Sequence, residues 1–331
     1  MSPYKFKDME SFIKELPLQI KEGLNLEVYN RKDYGDIKGI VLCGMGGSGI
    51  AGDLLKRISN IPFFVFKDYK VPEEYINEDF LYIFVSYSGN TEETIENFEK
   101  LKDKKSLVVT SGGNLLRRAK ELNIPFINLP EGYPPRCALG WIFSSIFSFL
   151  EKYLKFNKRD LIETSKFIEK KVKDYSKEEG KGFDIASKIY KRLLFIYTPD
   201  EYFPCALRWK TQINENGKTF CHIDILPEMN HNEIVGLCHP EDLLDSGWAI
   251  FIKGPDIHKR NLIRIEETIK LIQDVFVGIN TIEPEGKNYL ERIFDLIILG
   301  DFVSYFIARF YKEDPFEIKR IDLLKERMKE K

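Results

Sequence analysis

The stretch that decides the fold of this chain is Cys43-Gly44-Met45-Gly46-Gly47-Ser48-Gly49-Ile50-Ala51-Gly52-Asp53, which follows an apolar run and leads into a helical pattern. The apolar run, Ile40-Val41-Leu42, is typical of a buried parallel strand. The glycines permit positive φ and a close approach of the backbone, and the N-terminus of the next helix offers unpaired N–H groups to an anion. The stretch therefore predicts a phosphate-binding turn between a strand and a helix.

Two better-known phosphate fingerprints fit this stretch less well. The spacing Gly44-x-Gly46-x-x-Gly49 satisfies the dinucleotide pattern, but Ser48 lies inside it and the companion signals indicate another kind of site. The Gly-Lys-Ser/Thr ending of a Walker loop is missing, so that type of nucleotide site is excluded.

A second candidate loop follows the next apolar strand, Leu81-Tyr82-Ile83-Phe84-Val85. Its sequence is Ser86-Tyr87-Ser88-Gly89-Asn90-Thr91-Glu92-Glu93-Thr94. The hydroxyls can donate hydrogen bonds, and Asn90 or Thr91 can cap a helix that begins at Glu92. Because ligands of doubly wound sheets bind at the carboxyl ends of the strands, we expect the two loops to converge on one phosphate. The residues assigned to this anchor are Gly46, Gly47, Ser48, Ser86, Ser88 and Thr91. The competing interpretation treats them as tight turns and helix caps.

Together with three further segments, these loops resemble a known family. The Ser-x-Ser-Gly-x-Thr turn is similar to the phosphate loop of the sugar isomerase (SIS) domain. The other segments are Pro134-Pro135-Arg136, Asn214-Glu215-Asn216-Gly217-Lys218 and Asn230-His231-Asn232-Glu233-Ile234-Val235-Gly236. In this order, over nearly the whole chain, the motifs resemble the bifunctional phosphoglucose/phosphomannose isomerases.

Apolar runs and helical patterns alternate from Lys38 onward, which predicts an α/β fold. The resemblance implies two SIS-type doubly wound subdomains with parallel sheets flanked by helices. We expect an N-terminal helical extension at 1–37, a first SIS subdomain with the phosphate-binding loops at 38–150, a helical connector at 151–185, and a second SIS subdomain with C-terminal helices at 186–331. Spacing also predicts a helix over Met9–Tyr29 and a strand near Asp274–Val277. Two long helical patterns, Tyr289–Tyr311 and Pro315–Lys331, close the chain.

Composition limits the partners of the chain. Its 331 residues include 50 Lys and Arg against 52 Asp and Glu, so nothing draws it electrostatically to nucleic acid. The sequence has neither an apolar signal core nor a segment long enough to span a membrane. The five cysteines include no C-x-x-C pair, which argues against a disulfide framework and a standard zinc site. We therefore expect a cytoplasmic protein with a small-molecule partner, and neither a nucleic acid nor a membrane as partner.

Isomerising a sugar phosphate requires a base that moves a proton between C1 and C2. The resemblance assigns this role to Glu215, at the end of a helix that begins near Tyr202 and that Gly217 is expected to stop. From spacing alone, a solvated surface glutamate would be the favoured interpretation. Lys218 either orients Glu215 or is a surface charge.

Ring opening requires a group that both takes and gives a proton near neutral pH, which histidine does without a large pKa shift. His231 lies in a polar segment typical of an exposed loop and is the predicted ring-opening residue. The other histidines, His222, His239 and His258, have no comparable context. A zinc site built from the cysteines and histidines of this region fails on spacing, so no metal ligands are assigned.

Two cations complete the predicted catalytic set. Arg136 follows two prolines that stiffen its loop, and the resemblance implies that it faces the C1 and C2 oxygens of the sugar. Its alternative is a surface salt bridge. Lys325 fits the family's Asp-Pro…Ile-x-x-Leu-Lys ending in spacing, although Glu317 stands where the family often has a second proline. A role in ring opening competes with that of a solvated lysine.

The resemblance implies reversible isomerisation of glucose 6-phosphate and mannose 6-phosphate to fructose 6-phosphate through a cis-enediol. We expect no metal or redox cofactor, because Arg136 and backbone donors can polarise the carbonyl oxygen. It also implies a homodimer with shared active sites, in which His231 acts on substrate held mainly by the other subunit. A non-catalytic SIS-type sugar-phosphate sensor would need the anchor but neither Glu215 nor His231. An SIS isomerase of another sugar phosphate is the second alternative.

Overall fold

The apolar run before the glycine stretch forms an inner strand of a mostly parallel sheet in the computed structural model, which describes residues 8–329. This part of the chain divides into two units. The first unit extends from Lys14 to Glu169, and the second combines the chain from Lys170 onward with the residues before Lys14. Each unit is built around one sheet.

The sheet of the first unit has the strand order β1-β6-β5-β4-β2-β3, and β1 alone is antiparallel to its neighbour among the described residues. The strands are β1 (Val28–Tyr29), β2 (Gly39–Gly44), β3 (Phe63–Phe66), β4 (Phe80–Val85), β5 (Lys105–Thr110) and β6 (Phe126–Asn128). The helices up to the end of this unit are α1 (Met9–Lys14), α2 (Leu16–Gly23), α3 (Gly46–Ile58), α4 (Glu92–Leu101), α5 (Gly113–Glu121), α6 (Leu139–Leu150) and α7 (Lys158–Tyr175). The two ends of this series, α1 and α7, extend into the second unit.

Helices cover both faces of this sheet, which explains why β2 is apolar at every position. Val41 belongs to a buried cluster that includes Phe98 of α4 and Leu115 of α5. The next residue, Leu42, faces the opposite way, and a Cβ on Gly52 of α3 would lie 2.8 Å from its Cδ2. A parallel strand buried on both faces reads as a continuous apolar run, as the sequence indicated.

The sheet of the second unit has the order β10-β9-β7-β8, and all its pairings are parallel. Its strands are β7 (Leu193–Pro199), β8 (Cys221–Leu226), β9 (Gly247–Ile252) and β10 (Gly278–Ile282). Its helices are α8 (Lys181–Ile189), α9 (Phe203–Glu215), α10 (Glu233–Gly236), α11 (Glu241–Leu244), α12 (Lys259–Leu271), α13 (Tyr289–Tyr311) and α14 (Lys319–Lys329). The predicted α/β class, with parallel sheets flanked by helices, is confirmed.

Helix α9 is fixed against α13 by buried polar contacts. Trp209 Nε1 donates a hydrogen bond to the carbonyl oxygen of Leu296 (2.7 Å), and Gly300 leaves room for the indole because a Cβ there would lie 2.2 Å from Nε1. The neighbouring Arg208 forms two hydrogen bonds, of 3.0 and 2.7 Å, with the carboxylate of Asp301, and both side chains are buried. These contacts hold the helix that ends at Glu215.

Three secondary-structure predictions were wrong in detail. The helix expected over Met9–Tyr29 is two short helices, because a new helix begins at Leu16 with Pro17 in its first turn, and the chain then enters β1. The strand expected near Asp274–Val277 lies at Gly278–Ile282, where it pairs with β9. The last helix begins at Lys319 rather than Pro315, since Asp314 Oδ1 accepts from Phe316 N and forms a turn there. The predicted end of that helix, at 330–331, lies outside the described residues.

No helix in residues 8–329 combines the length and apolar character needed to cross a membrane.

Candidate active site

The two glycine-containing loops of the first unit begin side by side. Strands β2 and β4 are parallel neighbours, and their last residues, Gly44 and Val85, are partners in the register. A Cβ on Gly44 would lie only 2.9 Å from the carbonyl oxygen of Val85, so the strand ends approach too closely for a side chain at this position. Both loops therefore leave the same edge of the sheet.

The first loop leads directly into the N-terminus of α3. Gly46 has a φ of +49° and is the first residue of the helix. Met45, before it, has an extended backbone, and within the described residues no side chain caps this helix. The Ser48 side chain is buried in the first turn. An uncapped helix N-terminus at the carboxyl edge of a parallel sheet is suited to binding an anion.

The second loop is held together by its own hydroxyl groups. Ser86 Oγ lies 2.8 Å from Thr91 Oγ1 and accepts a hydrogen bond from Gly89 N at 3.1 Å. Gly89 has a φ of +67°, and a Cβ there would lie 1.8 Å from the carbonyl oxygen of Gly112, so glycine is required. Ser88 is exposed on the loop, where its Oγ accepts a hydrogen bond from Asn90 N at 3.3 Å.

Helix α4 begins at Glu92, as predicted, but neither Asn90 nor Thr91 caps it with its side chain. Thr91 occupies the N-cap position, yet its hydroxyl contacts Ser86 and does not cap the helix. Asn90 Oδ1 accepts a hydrogen bond from Asn114 N (3.0 Å) and so connects this loop to the start of α5. In the part of the chain that the structure describes, α4 therefore also presents an N-terminus without a side-chain cap.

Arg136 lies beside the first loop. It belongs to a short 3₁₀ turn, Pro135–Cys137, and its side chain is buried. A Cβ on Gly47 would lie 3.6 Å from Arg136 Cα, so this turn packs on the first turn of α3. Gln19 of α2 holds the turn through its amide, which donates to the carbonyl oxygen of Cys137 at 2.8 Å and accepts from Gly140 N at 3.2 Å. The backbone of a buried arginine is thus placed next to the uncapped helix.

In the second unit, Glu215 is the last residue of α9 and is half-buried. The helix ends just before Gly217, as expected, and the left-handed residue after it is Lys218, with a φ of +52°. Gly217 is needed for space, because a Cβ would lie 2.8 Å from Ile307 Cγ2. Lys218 Nζ donates to the main-chain oxygen of Glu215 (2.6 Å). Asn216 Nδ2 donates to Ser304 Oγ on α13 (3.0 Å), which fixes the turn behind Glu215.

His231 is exposed at the end of a 3₁₀ turn, Glu228–His231, which follows β8. The exposed polar character predicted for this segment is present, but the turn is not loose. Met229 is fully buried, and Asn230 Nδ2 donates to Thr268 Oγ1 on α12 (2.8 Å). His231 therefore projects from a turn whose preceding residues are fixed.

A cluster that sequence reasoning missed lies just after His231. The carboxylate of Glu233 accepts from Tyr197 OH at 2.6 Å through Oε1 and lies 2.9 Å from His222 Nε2 through Oε2. Asp224 completes the group, and the ligand atoms of His222, Asp224 and Glu233 lie within 4.8 Å of one another. These residue types also bind metal ions, but hydrogen bonds already use both oxygens of Glu233 and Nε2 of His222. We therefore interpret the cluster as a hydrogen-bonded network, and call these four residues the Glu233 network.

The Glu233 network contains one firmly ionised carboxylate. Burial by itself raises the pKa of Glu233, but hydrogen bonds from His222, Asp224 and Tyr197 outweigh it and hold that pKa at about 2. The hydrogen bond to Glu233 raises the pKa of His222 against the opposing effect of burial. Burial, followed by the hydrogen bond to Glu233, raises the pKa of Asp224. Of the two carboxyl groups, Glu233 therefore loses its proton more readily than Asp224.

The six residues predicted for the anchor and Arg136 all belong to the first unit, where they lie on the two loops and on the turn beside Gly47. Glu215, His231 and Lys325 belong to the second unit, where they lie on α9, on the turn after β8 and on α14 respectively. Lys325 is exposed on α14.

His258, for which the sequence suggested no role, accepts from Arg260 N through Nδ1 and caps α12.

Comparisons with known proteins find one SIS-type domain in the region of each sheet. Residues 35–124 match the SIS domain, and residues 178–328 match the bacterial phospho-glucose isomerase C-terminal SIS domain. A solved structure, a hypothetical protein from Thermus thermophilus, has the same fold with a TM-score of 0.75, at 14% identity over 97% of this chain and 90% of its own. The bifunctional phosphoglucose/phosphomannose isomerase of Aquifex aeolicus is 39% identical over 90% of this chain and 92% of that protein. Its counterpart in Caldicellulosiruptor bescii is 36% identical over 95% of this chain and 97% of that protein. On this similarity, which extends over most of its length, the chain belongs to the family of bifunctional phosphoglucose/phosphomannose isomerases.

Proposed function

We propose that this protein reversibly converts glucose 6-phosphate and mannose 6-phosphate into fructose 6-phosphate. The observation that carries the proposal is a pair of uncapped helix N-termini that follow adjacent strand ends, the first of which packs against the turn that contains the buried Arg136. Helix N-termini and hydroxyl donors suit a phosphate ester. The names of the relatives from Aquifex aeolicus and Caldicellulosiruptor bescii support this choice of sugar phosphates.

In the proposed reaction, Glu215 is the base. Its carboxylate takes the proton from C2 of the open-chain aldose and returns it to C1 of the cis-enediol, while a hydroxyl proton moves from O2 to O1. The carboxylate ends the cycle unchanged, so the step needs no oxidant or reductant. The fixed end of α9 favours this role, because a base must be held within hydrogen-bond reach of the carbon it deprotonates.

The remaining roles follow the charges of the side chains. Arg136 stabilises the negative oxygens that develop at C1 and C2, since a buried, permanently charged donor is effective where charge appears. His231 transfers the proton that opens the sugar ring, with Lys325 as its helper. No metal ion or redox cofactor takes part in these steps. We further propose that the protein acts as a homodimer in which His231 serves the substrate held mainly by the other subunit.

The anchor can be tested with two serines of one loop that have different contacts. Ser88→Ala removes an exposed hydroxyl, so we expect the unfolding free energy to change by less than about 0.5 kcal/mol. Its affinity for inorganic phosphate should fall by about 1–3 kcal/mol, the value of a hydrogen bond to a charged group. Ser86→Ala should instead lower the unfolding free energy by about 1–3 kcal/mol, because Gly89 N and Thr91 Oγ1 lose their partner. Calorimetric titration and urea unfolding measure both quantities. An unchanged phosphate affinity in Ser88→Ala would place the anchor elsewhere.

The base can be tested by turnover of fructose 6-phosphate in the presence of EDTA. We expect wild type to form both glucose 6-phosphate and mannose 6-phosphate. Glu215→Gln preserves the shape of the side chain but removes the base, so turnover should fall by about 10²–10⁴-fold while phosphate-ester binding persists. Glu267→Gln, on the exposed face of α12, is the matched control and should match wild type. A sensor would bind the sugar phosphates without turnover in any variant, and Glu215→Gln that keeps more than about half of the turnover would remove Glu215 from the mechanism.

The shared site can be tested by mixing two inactive variants, Glu215→Gln and His231→Ala. A mixed dimer would contain one site with both native groups, so activity should return. With random exchange about half of the dimers are mixed and each has one competent site of two, which gives roughly a quarter of wild-type activity. Subunits that demonstrably exchange, as seen by mass spectrometry, and yet stay inactive would show that His231 does not act across subunits.

A further inference from the structure

We propose that Glu233 is a positioning residue, which holds His231 in its working position through the Glu233 network. This inference rests on the proposed function, since it takes His231 as the ring-opening residue. Glu233 itself touches no reacting atom in this proposal. It acts on the reaction only by fixing the turn from which the histidine projects.

The geometry of the Glu233 network supports this role. Glu233 follows His231 by two residues, and its carboxylate reaches back to two different strands of the sheet. Tyr197, which donates to Oε1 at 2.6 Å, is buried on β7, and His222, 2.9 Å from Oε2, lies on the edge strand β8. Hydrogen bonds to a carboxylate are among the stronger ones in proteins. Because the Glu233 side chain binds to both β7 and β8, it fixes the chain that follows His231 against the sheet.

The chain before His231 is fixed by independent contacts. Met229 is fully buried, and Asn230 Nδ2 donates to Thr268 Oγ1 at 2.8 Å. Asn232 Nδ2 donates to Glu228 Oε1 at 2.9 Å, and Asn232 Oδ1 accepts from Glu233 N, which closes the turn around the histidine. The turn is thus clamped at Asn230 on one side and at Glu233 on the other, while the imidazole of His231 stays exposed. Removing the Glu233 clamp would therefore loosen the chain that follows the histidine.

The first measurement is hydrogen exchange of backbone amides in Glu233→Ala. Exchange should speed up across residues 228–237 and stay at its wild-type rate in α9, because the network holds only the turn. Glu241→Ala is the matched control, since Glu241 is an exposed carboxylate on the neighbouring helix α11. Tyr197→Phe, which removes one of the two bonds, should show a smaller effect in the same segment. If Glu233→Ala does not fold, Tyr197→Phe still tests whether the Glu233 network fixes this segment. Unchanged exchange at 228–237 in the folded variants would overturn the proposal.

The second measurement is a double-mutant cycle in turnover. We expect kcat of Glu233→Ala to fall by about 10–100-fold with a small change in KM, because a reacting group displaced by about 1 Å loses about two orders of magnitude. The variant with both Glu233→Ala and His231→Ala should be no slower than His231→Ala alone, since Glu233 acts only through the histidine. Effects that multiply, with His231→Ala itself impaired, would overturn the role of Glu233 and leave the proposed function intact. Wild-type turnover in His231→Ala would overturn both assignments, so the two failures are distinguishable.

Discussion

The parallel pairing of β2 with β4 is the constraint on which the candidate site depends. It places the ends of the two strands, Gly44 and Val85, opposite each other, so that two helices start from neighbouring points on one edge of the sheet. Neither α3 nor α4 has a side-chain cap among the described residues, so both helices begin at this edge with main-chain donors that no side chain caps. Two hydroxyl groups hold the second loop, and a buried arginine lies beside the first. Ser86 and Thr91 bind each other, and Arg136 is buried beside Gly47.

The second sheet has the same parallel pairing but a different use of its strand ends. After β7 the chain forms a turn, Asp200–Tyr202, before α9, and the Tyr202 hydroxyl donates to Asp256. Arg292 binds the same carboxylate through two hydrogen bonds of 2.6 Å. Burial raises the pKa of Asp256, but the hydrogen bonds from Arg292 and Tyr202 outweigh it and lower that pKa. A fixed carboxylate, that of Asp256, therefore lies against the turn between β7 and α9.

Much of this arrangement could be predicted from the sequence, because local patterns determine it. β2 and β4 are continuous apolar runs followed by loop residues, and α13 was predicted with its observed bounds, Tyr289–Tyr311, since its apolar pattern ends before an acidic turn with Pro315. The long apolar pattern through Met9–Tyr29 misled because a second helix starts at Leu16 within it. Long-range contacts were the other source of error. The Glu233 network exists because β7 and β8 pair in a register that sets Tyr197 opposite Asp224, which no local pattern reveals. The sequence also could not show that the hydroxyl of Thr91 would bind Ser86 instead of capping α4.

The proposed reaction moves a proton between C1 and C2 of a hexose phosphate. The most direct measurement is incubation of the protein with fructose 6-phosphate and EDTA in D₂O, followed by NMR analysis of the products. We expect both glucose 6-phosphate and mannose 6-phosphate, with deuterium at C2 in a measurable fraction, because the proton held by a carboxylate exchanges with solvent during the lifetime of the enediol. Failure to form either aldose phosphate would contradict the account, and so would products that stay free of deuterium at C2 after many turnovers.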